Sequence, residues 1–167
     1  DNCGTAIVYQ TGGLGSGSVF PVGDTLIEYT AQDECGNLAT CTFTVTVIDD
    51  DAPVAICQDI IVILDDTGNA TITADQLNFG SIDNCGVGSL DIDIDTFDCS
   101  NVGANEVTLT VTDIHGNTAT CVSTVTVLDL TDPIAVCQDI TVELGNDGTV
   151  TIDPLDVDGG SSDACGI

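Results

Sequence analysis

Carboxylate and amide side chains gather in short clusters along this sequence, mostly beside glycine or proline. Oxygen atoms on turns are the ligands that Ca²⁺ prefers, because this ion is coordinated by carboxylates, carbonyls and water. We therefore predict calcium as the cofactor. The alternative, that turns collect Asp, Asn and Gly for backbone reasons, stays open for each single cluster. The candidate ligands are Asp33, Asn37, Asp49, Asp50, Asp51, Asp83, Asn84, Asp113, Asn117, Asp129, Asp132 and Asp163.

The charge of the chain is entirely of one sign. Its 167 residues include 28 Asp or Glu and no Lys or Arg, which gives a formal net charge of −28. This composition argues against nucleic-acid binding and against docking on an anionic membrane, since both need basic side chains. It also creates self-repulsion that bound cations would reduce. Hydrophobic residues nevertheless make up 43% of the chain, which argues for a folded protein. No apolar run is long enough for direct membrane insertion.

An internal repeat organises the sequence. Residues 53–60, PVAICQDI, recur as residues 133–140, PIAVCQDI, 80 positions later, and Cys41 and Cys121 have the same spacing. Such periodicity is typical of tandem modules. We interpret residues 1–52 as the C-terminal part of one repeat, 53–132 as a complete repeat, and 133–167 as the N-terminal part of the next. We expect the chain to be an excerpt from a longer array.

The pattern inside a repeat is that of strands. Residues 41–48 alternate between Thr and apolar side chains, and residues 106–112 do the same. Period-two alternation of β-branched residues indicates half-buried antiparallel strands. Residues 60–73 read as a hairpin with a turn at 65–69, and residues 140–152 repeat it. The predicted fold class is all-β, with tandem immunoglobulin-like β-sandwich repeats of 80 residues.

Nine cysteines indicate an oxidising compartment, so we predict an extracellular or cell-surface location. The four cysteines of the complete repeat allow three pairings. We favour Cys57–Cys121, which would join the first and last strands, and Cys85–Cys99, which would close a local loop.

The first repeat differs from the complete one in its cysteines. Cys35 stands where the complete repeat has His115, and Val19 stands at the position of Cys99. We therefore expect Cys3 to pair with Cys35. Three cysteines are then left for partners in neighbouring repeats or between chains, namely Cys41, Cys137 and Cys165.

The first repeat contains a further set of residues with a recognisable spacing: Phe20, Pro21, Val22, Gly23, Tyr29, Thr30, Ala31, Asp33, Gly36, Asn37 and 41–47. This set resembles the hyalin-repeat (HYR) family. The complete repeat matches less fully, since Ser100 and Asn101 replace Phe-Pro and Ser123 replaces Phe. The front half, from CQDI to DNCG, is similar to an extended version in long bacterial surface proteins. The resemblance implies immunoglobulin-like modules in tandem in extracellular and adhesive proteins.

The leading functional hypothesis is a structural segment of a long extracellular fibre, stalk or surface filament. Calcium at turns and joins, together with disulfides, would stiffen it, and its partners would be neighbouring repeats and other copies of the chain. The alternative is a calcium-dependent adhesive module that binds glycan or another cell-surface ligand, with Tyr9, Phe79 and Phe97 as candidate contacts.

Enzymatic activity is not expected. His115 is the only histidine, and it lies in a predicted turn where the other repeat has a cysteine. A triad with Ser and Asp is conceivable, but no catalytic signature accompanies it. A secreted hydrolase that uses paired Asp residues and an ice-binding Thr face are weaker alternatives.

Overall fold

The computed structural model describes residues 4–166, and the chain divides into an N-terminal unit, Asp1–Asp51, and a C-terminal unit, Ala52–Ile167. Strands dominate both units, so the predicted all-β, immunoglobulin-like class is confirmed. The N-terminal unit has strands β1 (Ile7–Gly12), β2 (Gly23–Gln32) and β3 (Leu38–Val47). The C-terminal unit has β4 (Ile60–Ile63), β5 (Asn69–Thr71), α1 (Ala74–Leu77), β6 (Val87–Ile92), β7 (Thr96–Asp98), β8 (Gly103–Asp113), β9 (Thr118–Leu128), and 3₁₀ turns at Cys99–Asn101 and Pro154–Val157.

The N-terminal unit is one antiparallel sheet in the order β1-β2-β3. The register of its long hairpin runs from Gly23 opposite Val47 to Gln32 opposite Leu38. Among residues 4–51, Ile27 is the only apolar side chain that is fully buried. This sheet therefore lacks a closed hydrophobic core within the residues that the structure describes.

The C-terminal unit has a four-stranded sheet in the order β4-β9-β8-β6 and a small second sheet of β5 and β7. The hairpin of β8 and β9 has the same register as the N-terminal hairpin, with Gly103 opposite Val127. Strand β4 adds to the far edge of β9 in parallel, with Ile60 opposite Val125. The predicted hairpin over residues 60–73 does not form, because β4 pairs with β9 and β5 pairs with β7.

The core of this unit forms between the two sheets. We call residues 53–82 the first front segment, which supplies Leu64, Ile72 and Leu77 to the core. These side chains pack against the inward faces of β8 and β9, where the valines alternate with threonine as the sequence predicts. The remaining residues of this core cluster are Phe97, Val107, Val125 and Val127.

Two disulfides tie the C-terminal unit together. Cys57 bonds to Cys121, the favoured pairing, with a Cα–Cα distance of 6.0 Å. The second prediction is wrong, because Cys99 bonds to Cys165 and not to Cys85, with a Cα–Cα distance of 5.1 Å. The chain between Cys85 and Cys99 forms β6 and β7. This path places Cys99 next to the turn that contains Gly68 and next to Ala164. The expected Cys3–Cys35 bond lies outside the described residues, since Cys3 is not among them.

Residues 133–162, which we call the second front segment, have the same local geometry as the first. The bridge between Val54 and Ile82 recurs between Ile134 and Ser162. A serine hydroxyl accepts a backbone N–H bond at 3.0 Å in both segments, from Ile56 in the first and from Val136 in the second. The second front segment differs in forming no strand over residues 140–152.

Leu77 is the side chain on which we expect the core to depend most. It is 0% exposed, so Leu77→Ala should lower the free energy of unfolding by about 2–5 kcal/mol through lost burial and a residual cavity. Leu130→Ala, at a position that is 64% exposed, is the matched control and should change it by less than about 0.5 kcal/mol. Urea titrations of both variants measure these differences. Equal effects would contradict the core assignment.

Candidate cation site

The structure brings two of the predicted ligands together at the end of β9. Asp129 follows this strand directly, and Asp163 lies at the turn that follows the second front segment. Their carboxylate oxygens lie within 4.8 Å of each other and of the Cys165 sulfur. Because Cys165 is held in a disulfide with Cys99, it offers no thiolate, and the donor set of this cluster is carboxylate oxygen. Such a set suits a hard cation.

The carboxylate of Asp163 is only half satisfied. Its Oδ1 accepts the Cys165 N–H at 2.8 Å, which caps the turn. Its Oδ2 is buried and has no hydrogen-bond partner among the described residues. An unpaired buried carboxylate oxygen is costly unless a counter-charge compensates it. The chain has no Lys or Arg that could supply that charge.

Further oxygen atoms line the space next to this carboxylate. An open hollow of about 430 Å³ is bounded by Asp163, Asp132, Thr131 and Asp66. The hydroxyl and backbone of Thr131 sit there because its N–H donates to Asp129 Oδ1 at 3.0 Å. Asp66 and Asp132 thus add two carboxylates to those of Asp129 and Asp163. They extend the set of oxygen donors that a cation could use.

The acidic stretch after β3 has the same local geometry as the one after β9. The Asp51 N–H donates to Asp49 Oδ1 at 3.3 Å, which corresponds to the bond between Thr131 and Asp129 80 residues later. Asp50 and Asp51 are exposed, and Asp49 is partly exposed.

The predicted ligands Asp83 and Asn84 lie in the turn that leads into β6. Asp83 Oδ1 accepts the N–H groups of Cys85 at 2.8 Å and Gly86 at 2.9 Å, while Asn84 is exposed. A carboxylate oxygen of Asp83 lies within 4.8 Å of one of Asp113. The Ile114 N–H donates to the Gly86 carbonyl at 3.1 Å and holds the two turns side by side.

Asp33 and Asp113 build matching turns at the tips of the two long hairpins. Each accepts the side-chain amide of an asparagine four residues on, at 2.7 Å, and the N–H of the same asparagine at 2.8 Å. The asparagines, Asn37 and Asn117, thus direct their N–H groups at the carboxylates. This geometry favours the backbone interpretation of these two clusters over a ligand role.

Hydrogen bonding controls the ionisation of these two acids. The Asn37 side chain is the main cause that lowers the pKa of Asp33 below its ordinary value of 3.8. Burial by itself raises the pKa of Asp113, but hydrogen bonds from Asn117 and from the backbone of His115 and Gly116 outweigh it, so the pKa is lowered. Both carboxylates are therefore held in the charged form.

Some features of this region were not predicted. Asp66 was not a predicted ligand, because the sequence does not show that the second front segment places Asp163 near the turn that contains Asp66.

The aromatic residues that were candidates for a ligand surface differ in exposure, since Phe97 is 2% exposed and belongs to the core, whereas Phe79 and Tyr9 are exposed. Among the residues that the structure describes, no helix has the length and apolarity needed to cross a membrane.

Comparisons with known proteins agree with the HYR resemblance. Residues 1–47 match the HYR domain family. Hyalin from Lytechinus variegatus is 35% identical over 140 residues, which covers 80% of this chain and 26% of hyalin. The mouse sushi, von Willebrand factor type A, EGF and pentraxin domain-containing protein 1 is 56% identical over 36 residues, which covers 22% of this chain and 1% of that protein. The chain thus spans about a quarter of hyalin and a far smaller share of the mouse protein.

The hairpin-tip carboxylates predict a specific pH dependence. Because the pKa of Asp113 is lower in the folded chain, its contribution to stability is present above pH 3.8 and is lost as the pH falls through the folded value. Asp113→Asn should therefore unfold at a lower temperature than the parent at pH 7, and the difference should shrink below pH 3.8 and disappear once the pH is below the lowered pKa of Asp113 in the folded chain. Melting temperatures from pH 7 to pH 2 measure this. Asp50→Asn, at an exposed position, is the control, and a constant offset for Asp113→Asn would contradict the assignment.

Proposed function

We propose that this chain is a segment of an extracellular structural fibre or stalk built from tandem immunoglobulin-like HYR modules. The observation that carries the proposal is the recurrence of the same acidic and cysteine-containing geometry at 80-residue spacing. The hydrogen bond between Asp49 and Asp51 corresponds to the one between Asp129 and Thr131, and the turn caps of Asp83 and Asp163 correspond in the same way. The similarity to hyalin over 80% of the chain supports the HYR class.

In this proposal, calcium binds where one module passes into the next. At the join that follows β9, Asp129 and Asp163 are the ligands that the geometry supports best. A cation there would satisfy the buried Oδ2 of Asp163 and would reduce the repulsion among 28 acidic side chains. Asp49 and Asp83 are their counterparts 80 residues earlier in the sequence.

Disulfides and the extracellular location belong to the same proposal. The bonds Cys57–Cys121 and Cys99–Cys165 fit an oxidising compartment. The second bond links the complete repeat to the front of the next one, so it would stiffen an array at the join.

The proposal that the chain is of the bacterial surface-protein type rests on the CQDI and DNCG motifs, whereas the two relatives described above are animal proteins. We assign the chain no enzymatic role.

The second candidate function is calcium-dependent adhesion to a glycan or another cell-surface ligand. The observation that favours it is Phe79, which is 66% exposed and lies two residues after the end of α1. In this case, Phe79→Ala should abolish binding on a glycan array, while the melting temperature stays unchanged.

Calcium dependence of stability tests the main proposal. The melting temperature of the 167-residue chain in EDTA should rise on calcium addition and saturate, with a stabilisation of about 2.7 kcal/mol once free calcium exceeds the Kd about 100-fold. Replacing both Asp129 and Asp163 by Asn should remove this response. Replacing Asp91 and Asp95 by Asn is the matched control, because these acids are exposed on and after β6. A melt that calcium leaves unchanged would contradict the cation site.

A further inference from the structure

One sulfur atom of the Cys99–Cys165 disulfide lies at the candidate cation site. The sulfur of Cys165 and carboxylate oxygens of Asp129 and Asp163 all lie within 4.8 Å of one another. These three residues are partly buried, and all belong to the C-terminal unit. The bond to Cys99 leaves the sulfur without the negative charge that a metal ligand needs. Opening of this bond would therefore add a thiolate to the two carboxylates.

The other sulfur atom of this disulfide has different surroundings. Cys99 Sγ lies 3.4 Å from the Ala164 carbonyl oxygen and 3.8 Å from the Gly68 carbonyl oxygen. A Cβ atom at Gly68 would lie 2.7 Å from Cys99 Sγ, so the sulfur fills the space beside this turn. After reduction, the Cys99 thiol has these two carbonyl acceptors within reach. We therefore expect Cys99 to stay a protonated thiol, whereas Cys165 faces the two acids.

One thiolate and two carboxylates have the composition of a zinc site. Donor atoms on one Zn²⁺ ion are about 3–4.5 Å apart, so a group confined to 4.8 Å needs little rearrangement to bind it. The carboxylate of Asp163 brings an oxygen, Oδ2, that is buried and has no hydrogen-bond partner among the described residues. The adjoining hollow of about 430 Å³ leaves room for a water molecule as the fourth ligand. A thiolate in the set favours Zn²⁺ over Ca²⁺, which takes oxygen ligands.

We propose that reduction of the Cys99–Cys165 disulfide creates a zinc site whose ligands are Cys165, Asp129 and Asp163. In the disulfide form the same carboxylates offer oxygen atoms alone, and the site takes calcium as in the proposed function. The inference rests on the proposed function for this oxidised form only. The state of one disulfide thus selects between a hard cation and a softer one at the end of β9.

The redox step is a thiol–disulfide exchange with a small thiol such as glutathione. Two glutathione molecules supply two electrons and two protons, the S–S bond breaks, and one molecule of oxidised glutathione is released. Cys99 and Cys165 each gain a thiol proton. When Zn²⁺ binds, Cys165 releases its proton to the solvent and forms a sulfur–zinc bond. Because zinc then binds the reduced form, it must shift the disulfide equilibrium towards reduction.

A glutathione redox buffer tests this shift on the full chain without any substitution. Above the Kd, each tenfold increase in free Zn²⁺ should raise the ratio of reduced to oxidised Cys99–Cys165 about tenfold. The Cys57–Cys121 disulfide is the internal control, and its ratio should not follow the zinc concentration. Alkylation of the thiols, digestion with an Asp-specific protease and mass spectrometry measure both ratios. This protease suits the chain because it has no Lys or Arg for trypsin.

Two matched variants separate the two sulfur atoms. Cys99→Ser leaves a thiol at Cys165 beside the carboxylates, and Cys165→Ser leaves a thiol at Cys99 beside the carbonyl groups. Each variant has eight of the nine cysteines, so the rest of the chain contributes equally to both. With Cd²⁺ as the spectroscopic probe for zinc, Cys99→Ser should bind one more ion per chain and show a stronger ultraviolet band from thiolate-to-cadmium charge transfer. Melting curves verify that both variants are folded.

A second substitution tests the carboxylate ligands. Asp163→Asn in the Cys99→Ser chain removes one charge but keeps an oxygen that can accept the Cys165 N–H, so the turn cap is retained. It should lower the Cd²⁺ affinity by more than about tenfold, since even residues that only support a metal ligand are worth that much. Asp91→Asn in the same chain, at an exposed position, is the control and should leave the affinity unchanged. Zn²⁺ should displace the bound Cd²⁺, whereas excess Ca²⁺ should not.

The results separate the zinc site from the proposed function. A Cys99–Cys165 ratio that zinc shifts no more than that of Cys57–Cys121, or equal Cd²⁺ binding by Cys99→Ser and Cys165→Ser, would overturn the inference. If calcium still raised the melting temperature of the oxidised chain, the proposed function would stand. If zinc shifted the ratio as expected but calcium left the melt unchanged, the calcium site would fail and the zinc inference would stand.

Discussion

The packing of a front segment on the inward face of a long β-hairpin is the interaction on which the rest of the structure depends. Leu64, Ile72 and Leu77 close the core against β8 and β9, and β4 completes the edge of β9. Where this packing is present, Val107, Val125 and Val127 of the hairpin are fully buried. Where it is missing, as among residues 4–51, the same alternating strands expose Phe43 and leave an open edge. A hairpin alone is only marginally stable, and burial of apolar surface under a front segment provides the stability of a folded module.

The charge of the chain is the second constraint, and it limits how modules can meet. With 28 acidic residues and no Lys or Arg, no ion pair with either of these basic side chains can offset the repulsion. Hydrogen bonds stabilise some of the charged carboxylates, since Asp33 and Asp113 each accept the side-chain amide of an asparagine within their own turn. A covalent bond holds the chain together at another acidic site, since Cys99–Cys165 lies beside the cluster of Asp129 and Asp163. Cations are the means of neutralisation that we propose, and the buried Oδ2 of Asp163 lacks a hydrogen-bond partner among the described residues.

The sequence predicted those features that repeat or alternate. The strict alternation in residues 41–48 and 106–112 predicted the hairpin strands, and the spacing of first and last strands predicted Cys57–Cys121. It could not predict Cys99–Cys165, because a short loop to Cys85 costs less entropy on closure than a 66-residue separation, and only the path of β6 and β7 overrides that preference. It also could not predict that residues 60–73 split between two sheets, or that Asp66 faces Asp163. Both depend on contacts between residues that are distant in sequence.

The central claim is that a front segment becomes ordered only when a hairpin sheet receives it. Amide hydrogen exchange on the monomeric 167-residue chain tests this claim most directly. The two segments have similar sequences, IIVI at residues 60–63 and ITVE at residues 140–143. The account predicts slow exchange for the first, which pairs with β9, and fast exchange for the second, which forms no strand. Equal protection of the two segments in the monomer would contradict it.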